Sequence, residues 1–182
     1  MMGKLWLAAL ALPAAALLYN LDAIIGQWKF EKLCDVEGGS RFYVKAVKDV
    51  GWEVESEDPS AYQVPFNFGH VSFVRFRKQG DLFDARVRTG PTTWSKSYDI
   101  TPADLDKQTK YRLSVQQGLL PDQRMSRTHF AITDVQLGTP VATHTYFSYS
   151  WTDPERVILS APTSVGCHKG DEVNAFASRI YN

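Results

Sequence analysis

Apolar side chains near both ends of the chain recur at the spacing of amphipathic helices. The stripe nearer the N-terminus consists of Leu17, Leu21, Ile24, Ile25 and Trp28. It predicts a helix that runs to about Leu33 or Cys34, before the Gly38-Gly39 pair ends it. The stripe nearer the C-terminus consists of Val173, Phe176, Ala177 and Ile180. Asp171 is the predicted N-cap of this second helix.

Between these helices, apolar and polar residues alternate in runs that predict antiparallel hairpins. The clearest hairpin joins Val71–Arg77 to Leu82–Arg88 through the turn Lys78-Gln79-Gly80-Asp81. The face predicted to lie in the core carries Val74, Phe76, Phe83, Ala85 and Val87. The opposite face carries Arg75, Arg77, Asp84, Arg86 and Arg88. One face of this hairpin is therefore predicted to be buried and its reverse to be strongly basic.

A second hairpin is predicted later in the chain. It joins Ser126–Val135 to Val141–Trp151 around the turn Gln136-Leu137-Gly138-Thr139. Two further aromatic and β-branched runs, Arg41–Val47 and Lys110–Gln116, predict single strands.

Residues 51–69 interrupt this pattern with Pro59 and Pro65. They predict a long loop with short extended pieces, and Thr101–Leu105 predicts one helical turn. The chain as a whole predicts an α+β fold, in which a meandering antiparallel β-sheet carries an N-terminal helix and a C-terminal helix packed on it.

The composition is that of one globular domain. The 182 residues are 44% hydrophobic and 13% aromatic, which suits a sizeable core and is unlike a disordered chain. Lys and Arg total 20, and Asp and Glu total 20. Because this balance is unlike that of a dedicated nucleic-acid binder, no nucleic-acid partner is expected.

The first residues resemble an export signal. Lys4 precedes an apolar run, Leu5–Leu18, with small residues at Ala14 and Ala16. This pattern predicts that residues 1–18 are a secretory signal peptide or an uncleaved membrane anchor, and that 19–182 form a single exported domain. An anchor needs about twenty apolar residues, and Leu21, Ile24 and Ile25 extend the run. A buried N-terminal helix of a cytoplasmic protein is the third interpretation.

Export changes how the two cysteines are interpreted. Cys34 follows the first predicted helix and Cys167 precedes the last one. In an oxidising compartment such a pair predicts one disulfide that ties both ends of the domain together. Free thiols and a redox pair are the alternatives, although the chain has no Cys-x-x-Cys spacing.

Four histidines, His70, His129, His144 and His168, offer little for metal or acid–base chemistry. One register of the second hairpin places His129 directly opposite His144, where two imidazoles could converge on a metal. No third ligand is identifiable, so hydrogen-bonded or surface histidines are expected, with no metal and no cofactor.

No catalytic residue is predicted. The sequence contains no Gly-x-Ser-x-Gly, Walker, His-Glu-x-x-His or dinucleotide-binding pattern. A hydrolase whose Ser, His and Asp meet only in space stays open, because such triads have no fixed order in the chain.

The basic face of the first hairpin is the one candidate binding surface. Its arginines, Arg75, Arg77, Arg86 and Arg88, can bind phosphate, lipid headgroups or an acidic partner. The alternative is a solvated outer face on which Arg75 pairs with Asp84 across the strands.

The segment Phe30–Tyr43 carries a short motif in which Leu33-Cys34 is followed by three residues, Gly38-Gly39 and an aromatic strand. It resembles the opening of a group of small uncharacterised bacterial envelope proteins. The resemblance implies a bacterial, exported, single-domain protein with a late cysteine, and it implies no activity.

Taken together, these features predict a non-enzymatic interaction or structural module. We expect it in the periplasm, or tethered to the inner membrane by its N-terminal segment if that is uncleaved. Its expected partner is an envelope protein or an anionic envelope component. Two alternatives remain open: a binding protein for a lipid or other apolar ligand, and a hydrolase with a spatial active site.

Overall fold

The computed structural model describes residues 21, 23–58, 60–88, 97–121, 124–150, 164–167 and 171–182. Helix α1 covers residues 23–37. The strands are β1 (Gly39–Phe42), β2 (Val50–Glu55), β3 (Val71–Lys78), β4 (Asp81–Val87), β5 (Tyr98–Pro102), β6 (Thr109–Leu119), β7 (Met125–Asp134), β8 (Pro140–Ser150) and β9 (Ser164–Gly166). A 3₁₀ turn (Ala61–Gln63) leads into α2 (Val64–Phe68), and α3 is Asp171–Arg179.

The strands form one large mixed sheet with a helix near each end of the chain. Their order is β1-β8-β7-β6-β2-β3-β4-β5, and β9 pairs with β8 beside β1. Strand β2 runs parallel to both neighbours, β3 and β6. The other strand pairs of the described part are antiparallel. The α+β class therefore agrees with the structure, and most strands pair antiparallel as expected, but the sheet is mixed because β2 is parallel to both of its neighbours.

Strand β2 lies where a loop was predicted, and it is central to the sheet. Trp52 is fully buried, with its ring centroid 5.2 Å from that of Tyr111 and 5.8 Å from that of Phe68. Gly51 lies directly under the ring of Phe73, so a side chain there would collide with it. Parallel strands need a crossover connection, and the 3₁₀ turn with α2 provides one between β2 and β3.

Two other local predictions are wrong at their ends. The strand predicted at Arg41–Val47 stops at Phe42, because the chain then leaves the sheet and Ala46 N–H donates to the carbonyl of Ile180. The helical turn predicted at Thr101–Leu105 is instead the end of β5, where Pro102 pairs with Phe83.

The main core lies between the sheet and the C-terminal helix. Phe176 of α3 and Ile180, directly after it, are buried there, which confirms the predicted stripe as far as its side chains are described; that of Val173 lies outside the described part. The first hairpin contributes Val74, Phe76 and Ala85 to this core.

The first hairpin has the predicted register. Val74 pairs with Ala85 and Phe76 with Phe83, whereas Val87 at the outer end of its face is 42% exposed. The turn residues Gln79 and Gly80 both have positive φ, 53° and 97°. A two-residue hairpin turn whose twist matches the right-handed twist of its strands requires this conformation.

Helix α1 packs on the sheet through a face that the sequence pattern did not indicate. A second, smaller core consists of Phe30, Cys34, Met125, Phe147, Tyr149 and Cys167. Gly26 lies against Tyr149, whose hydroxyl donates to the carbonyl of Ala23 at 2.9 Å. The described members of the predicted apolar stripe lie on the opposite side of the helix and are exposed, namely Leu21, Ile24, Ile25 and Trp28, whereas Leu17 lies outside the described residues.

The disulfide predicted between Cys34 and Cys167 is confirmed. It joins the C-terminal half of α1 to the residue after β9, across a sequence separation of 133. The covalent bond therefore fixes α1 against the part of the sheet formed by β7, β8 and β9.

The predicted leader, residues 1–18, lies outside the described residues, as does Trp151 at the end of the second predicted hairpin. Among the helices that the structure describes, none is both long and apolar enough to cross a membrane.

Candidate functional site

Arg75, the first member of the predicted binding set, is largely buried and hydrogen-bonded within the domain. Its guanidinium donates to both carboxylate oxygens of Asp84, at 2.8 and 3.1 Å, and to the carbonyls of Asp104 and Lys107 at 2.6 and 3.2 Å. The side chains of Arg75 and Asp84 are only 11% and 2% exposed. The hydrogen bond with Asp84 raises the pKa of Arg75 above its ordinary value. Arg75 therefore holds β3, β4 and the loop after β5 together.

The rest of the arginine face is partly neutralised by carboxylates from neighbouring strands. Arg88 pairs with Asp99 at 2.6 Å. Farther across the face, Arg112 of β6 pairs with Glu53 of β2. Within the described residues, Arg77 and Arg86 are the two members of the predicted set that have no carboxylate partner. Both are exposed, so they are what this face offers to an anionic partner.

His129 and His144 do not converge. His129 pairs with Thr145 and His144 with Phe130, so the two imidazoles lie on opposite faces of the sheet. The cause is a bulge between Ile132 and Thr133, which shifts the register of the hairpin by one residue. The register that placed the histidines opposite each other is wrong.

Each histidine is hydrogen-bonded to a hydroxyl on a neighbouring strand. His144 Nδ1 lies 2.9 Å from Ser40 Oγ, and His129 Nδ1 lies 2.9 Å from Thr145 Oγ1. His144 is only 2% exposed, and its ring packs between those of Phe130 and Phe176. Burial lowers the pKa of His129, with a smaller effect from the charge of Arg127. These contacts hold strands together and leave His144 inaccessible to a substrate.

A metal site is likewise not formed by the residues that the structure describes. Within those ranges, no three His, Cys, Asp or Glu side chains come together in a group that can hold an ion.

The outer face of α1 carries a set of exposed apolar side chains. Leu21 is 41% exposed, Ile24 54%, Ile25 47% and Trp28 62%. Because Gly26, Phe30 and Cys34 face the sheet, the helical period directs these four side chains away from the domain. We call them the outer stripe. It is an apolar helix face that the described part of the domain does not cover.

Beside the outer stripe, a groove of about 630 Å³ runs between α1 and the connection from β6 to β7. Its apolar wall is formed by Trp28, Leu33, Val36, Leu120, Pro121, Met125 and Phe147. Its rim carries three cations and one carboxylate, namely Lys29, Lys32, Arg127 and Glu37. Lys32 Nζ lies 5.5 Å from the centroid of the Trp28 ring, within reach of a cation–π interaction. We call this feature the α1 groove.

The sequence signalled the outer stripe but not the α1 groove. Helical periodicity identified Leu21, Ile24, Ile25 and Trp28, although it suggested that they were the packed face. The groove combines residues from α1 with Met125 and Phe147 of two later strands, and no local pattern links those segments.

Comparison with known proteins assigns no family. No family model and no curated protein matches the chain. One solved structure to which it is similar is a PelC dodecamer from Paraburkholderia phytofirmans, at 15% identity and a TM-score of 0.30, covering 79% of this chain and 92% of that chain. A likeness at this level carries no functional argument.

Proposed function

We propose that the protein is a non-enzymatic envelope module that α1 holds against a membrane surface. The single observation that supports this most strongly is the outer stripe, an apolar helix face turned away from its own domain. Exposed apolar side chains in one continuous patch are typical of a surface that contacts lipid or a partner.

The position of the stripe in the chain favours lipid as the contact. It follows the apolar run Leu5–Leu18, with the polar residues Asn20 and Asp22 near the junction, and the two together provide about the twenty residues that a membrane-spanning helix needs. Trp28 follows at the end of this stretch, with Lys29 and Lys32 after it. Tryptophan and lysine at the end of an apolar segment are typical of the boundary between bilayer and water.

The disulfide supports a location outside the cytoplasm. Disulfides persist outside the reducing cytoplasm, so the Cys34–Cys167 bond indicates an oxidising, exported environment. It also couples α1 covalently to the sheet. In this proposal the domain is therefore held close to the membrane in a defined orientation, in the periplasm or on the periplasmic side of the inner membrane.

A partner would contact a different surface. Arg77 and Arg86 have no carboxylate partner among the described residues, although Arg77 donates a hydrogen bond to the carbonyl of Gly80. We propose these two arginines of the first hairpin as the contact for an acidic envelope protein or another anionic envelope component. Glutamine at both positions is expected to weaken capture of such a partner from envelope extracts. Glutamine at Lys45 and Lys48, two exposed cations elsewhere, is the charge-matched control. Equal capture by both double variants would remove the arginine face from the proposal.

Hydroxyl-radical footprinting of the full chain in lipid nanodiscs tests the membrane contact. Each side chain's labelling rate is divided by its rate in the urea-unfolded chain. Ile24, Ile25 and Trp28 are expected to be protected despite their exposure in the fold. Leu105 and Leu137, which are 72% and 70% exposed, are the controls and should label freely. Free labelling of all five residues would contradict the proposal.

A further inference from the structure

We propose that the α1 groove binds one anionic phospholipid of the bilayer. The headgroup phosphate lies at Lys29, Lys32 and Arg127, and an acyl chain lies along the apolar wall. This inference rests on the proposed membrane contact of α1 and adds to it a specific lipid site. The occupant is argued from the shape, the charge and the position of the groove.

The apolar wall suits a hydrocarbon chain. Met125 and Phe147, which are 2% and 1% exposed, lie at the bottom, with Leu33 and Leu120 half-buried beside them. Val36 is 65% exposed at the opening, where an acyl chain would cover it. A volume of about 630 Å³ falls within the range of about 300–1,000 Å³ that small-molecule sites occupy.

The rim suits a phosphate. Lys29, Lys32 and Arg127 are all exposed, and none of them forms an ion pair with a described residue. Among the described lining residues, three cations stand against the one carboxylate of Glu37, which makes this part of the rim positive. On the arginine face, by contrast, Arg75, Arg88 and Arg112 are each paired with a carboxylate.

The groove also opens where a bilayer lipid can enter it. Trp28 belongs both to the outer stripe and to the wall of the groove, so the two surfaces are continuous. A lipid at the membrane surface reaches the groove without its chain crossing water. An apolar wall next to a cationic rim matches an anionic amphiphile, and neither an uncharged apolar molecule nor free phosphate uses both parts.

The test measures which lipid stays bound. Full-length protein is released from nanodiscs of phosphatidylglycerol or phosphatidylcholine, and native mass spectrometry counts the retained lipid. We expect retention of one phosphatidylglycerol and not of phosphatidylcholine. Glutamine at Lys32 and Arg127 together should weaken retention roughly 25-fold, about five-fold for each cation removed. Val36→Ser should also weaken lipid retention, because it removes an apolar contact with the acyl chain.

The matched control removes two exposed cations elsewhere, in the double variant Lys45→Gln and Lys48→Gln, and should retain phosphatidylglycerol unchanged. Equal loss in both double variants, equal retention of the two lipids, or displacement of the lipid by inorganic phosphate would each overturn the proposal. The footprint of Ile24, Ile25 and Trp28 is recorded on the same samples. If they are protected while no lipid is retained, the membrane contact stands and the lipid site fails.

Discussion

Removal of the disulfide is expected to cost most of the stability that a domain of this size has. Changing both Cys34 and Cys167 to alanine opens a loop with a sequence separation of 133. On the chain-entropy model, closure of such a loop stabilises the folded state by about 5 kcal/mol at 25 °C. Folded domains are stable by about 5–15 kcal/mol, so the double variant is expected to be marginal. Alanine leaves no unpaired thiol and keeps both buried positions apolar.

Urea unfolding followed by circular dichroism measures this loss. The free energy of unfolding of the double variant should be about 4–5 kcal/mol below that of the wild type, and reduced wild type should match the variant. Hydrogen exchange locates the effect. Without the bond, α1 is attached to the sheet through noncovalent contacts such as that of Phe30 with Tyr149 and the hydrogen bond from the Tyr149 hydroxyl to the carbonyl of Ala23. The backbone amides of α1 should therefore exchange before those of β6–β8. A loss below about 1 kcal/mol would refute the reasoning.

Three further changes test the packing and the charges that position the site. Arg75→Met leaves the buried carboxylate of Asp84 unpaired, so the free energy of unfolding should fall by about 3–5 kcal/mol in urea titrations. Gly26→Ala places a Cβ 2.6 Å from the Tyr149 hydroxyl, so α1 must shift and about 1–3 kcal/mol should be lost, with faster exchange of its amides. Hydrogen bonds from Lys110 and from backbone amides lower the pKa of Asp134. The ionised carboxylate therefore stabilises the fold fully above the ordinary aspartate pKa of about 4, and this contribution should be lost as pH falls below that value. Urea unfolding at a series of acid pH values measures the loss.

Matched variants separate these effects from general damage. Arg77→Met removes an exposed arginine and should change stability by less than about 0.5 kcal/mol. Gly118→Ala meets no atom within 4 Å and should be tolerated. Asp134→Asn should flatten the acid limb of the stability curve. A steep limb that persists in this variant, or equal losses in the paired arginine or glycine variants, would contradict the assignments.

The sequence predicted what depends on short-range periodicity. The register of the first hairpin follows from alternation around Gln79-Gly80, and Phe176 and Ile180 follow from helical spacing. Strand β2 was missed because Pro59 and Pro65, which both follow it, are typical of a loop.

The errors at the candidate sites have the same origin in long-range pairing. With β2 taken as a loop, Glu53 had no place on the sheet, so the arginine face looked more basic than it is. A single bulge after Ile132 moved His129 and His144 to opposite faces, and alternation does not predict a bulge. The stripe of α1 was found, but which side packs was decided by Gly26 and Tyr149, which are far apart in the sequence.

The proposed contact between the outer face of α1 and lipid can be measured through the fluorescence of Trp28. The full chain and its Trp28→Phe variant are placed in nanodiscs with and without brominated lipids, which quench tryptophans in contact with the acyl chains. The difference between the two proteins isolates Trp28 from the other tryptophans, including the fully buried Trp52. We predict a quenched component in the wild type that is absent from the variant. Identical quenching in the two proteins would contradict the account.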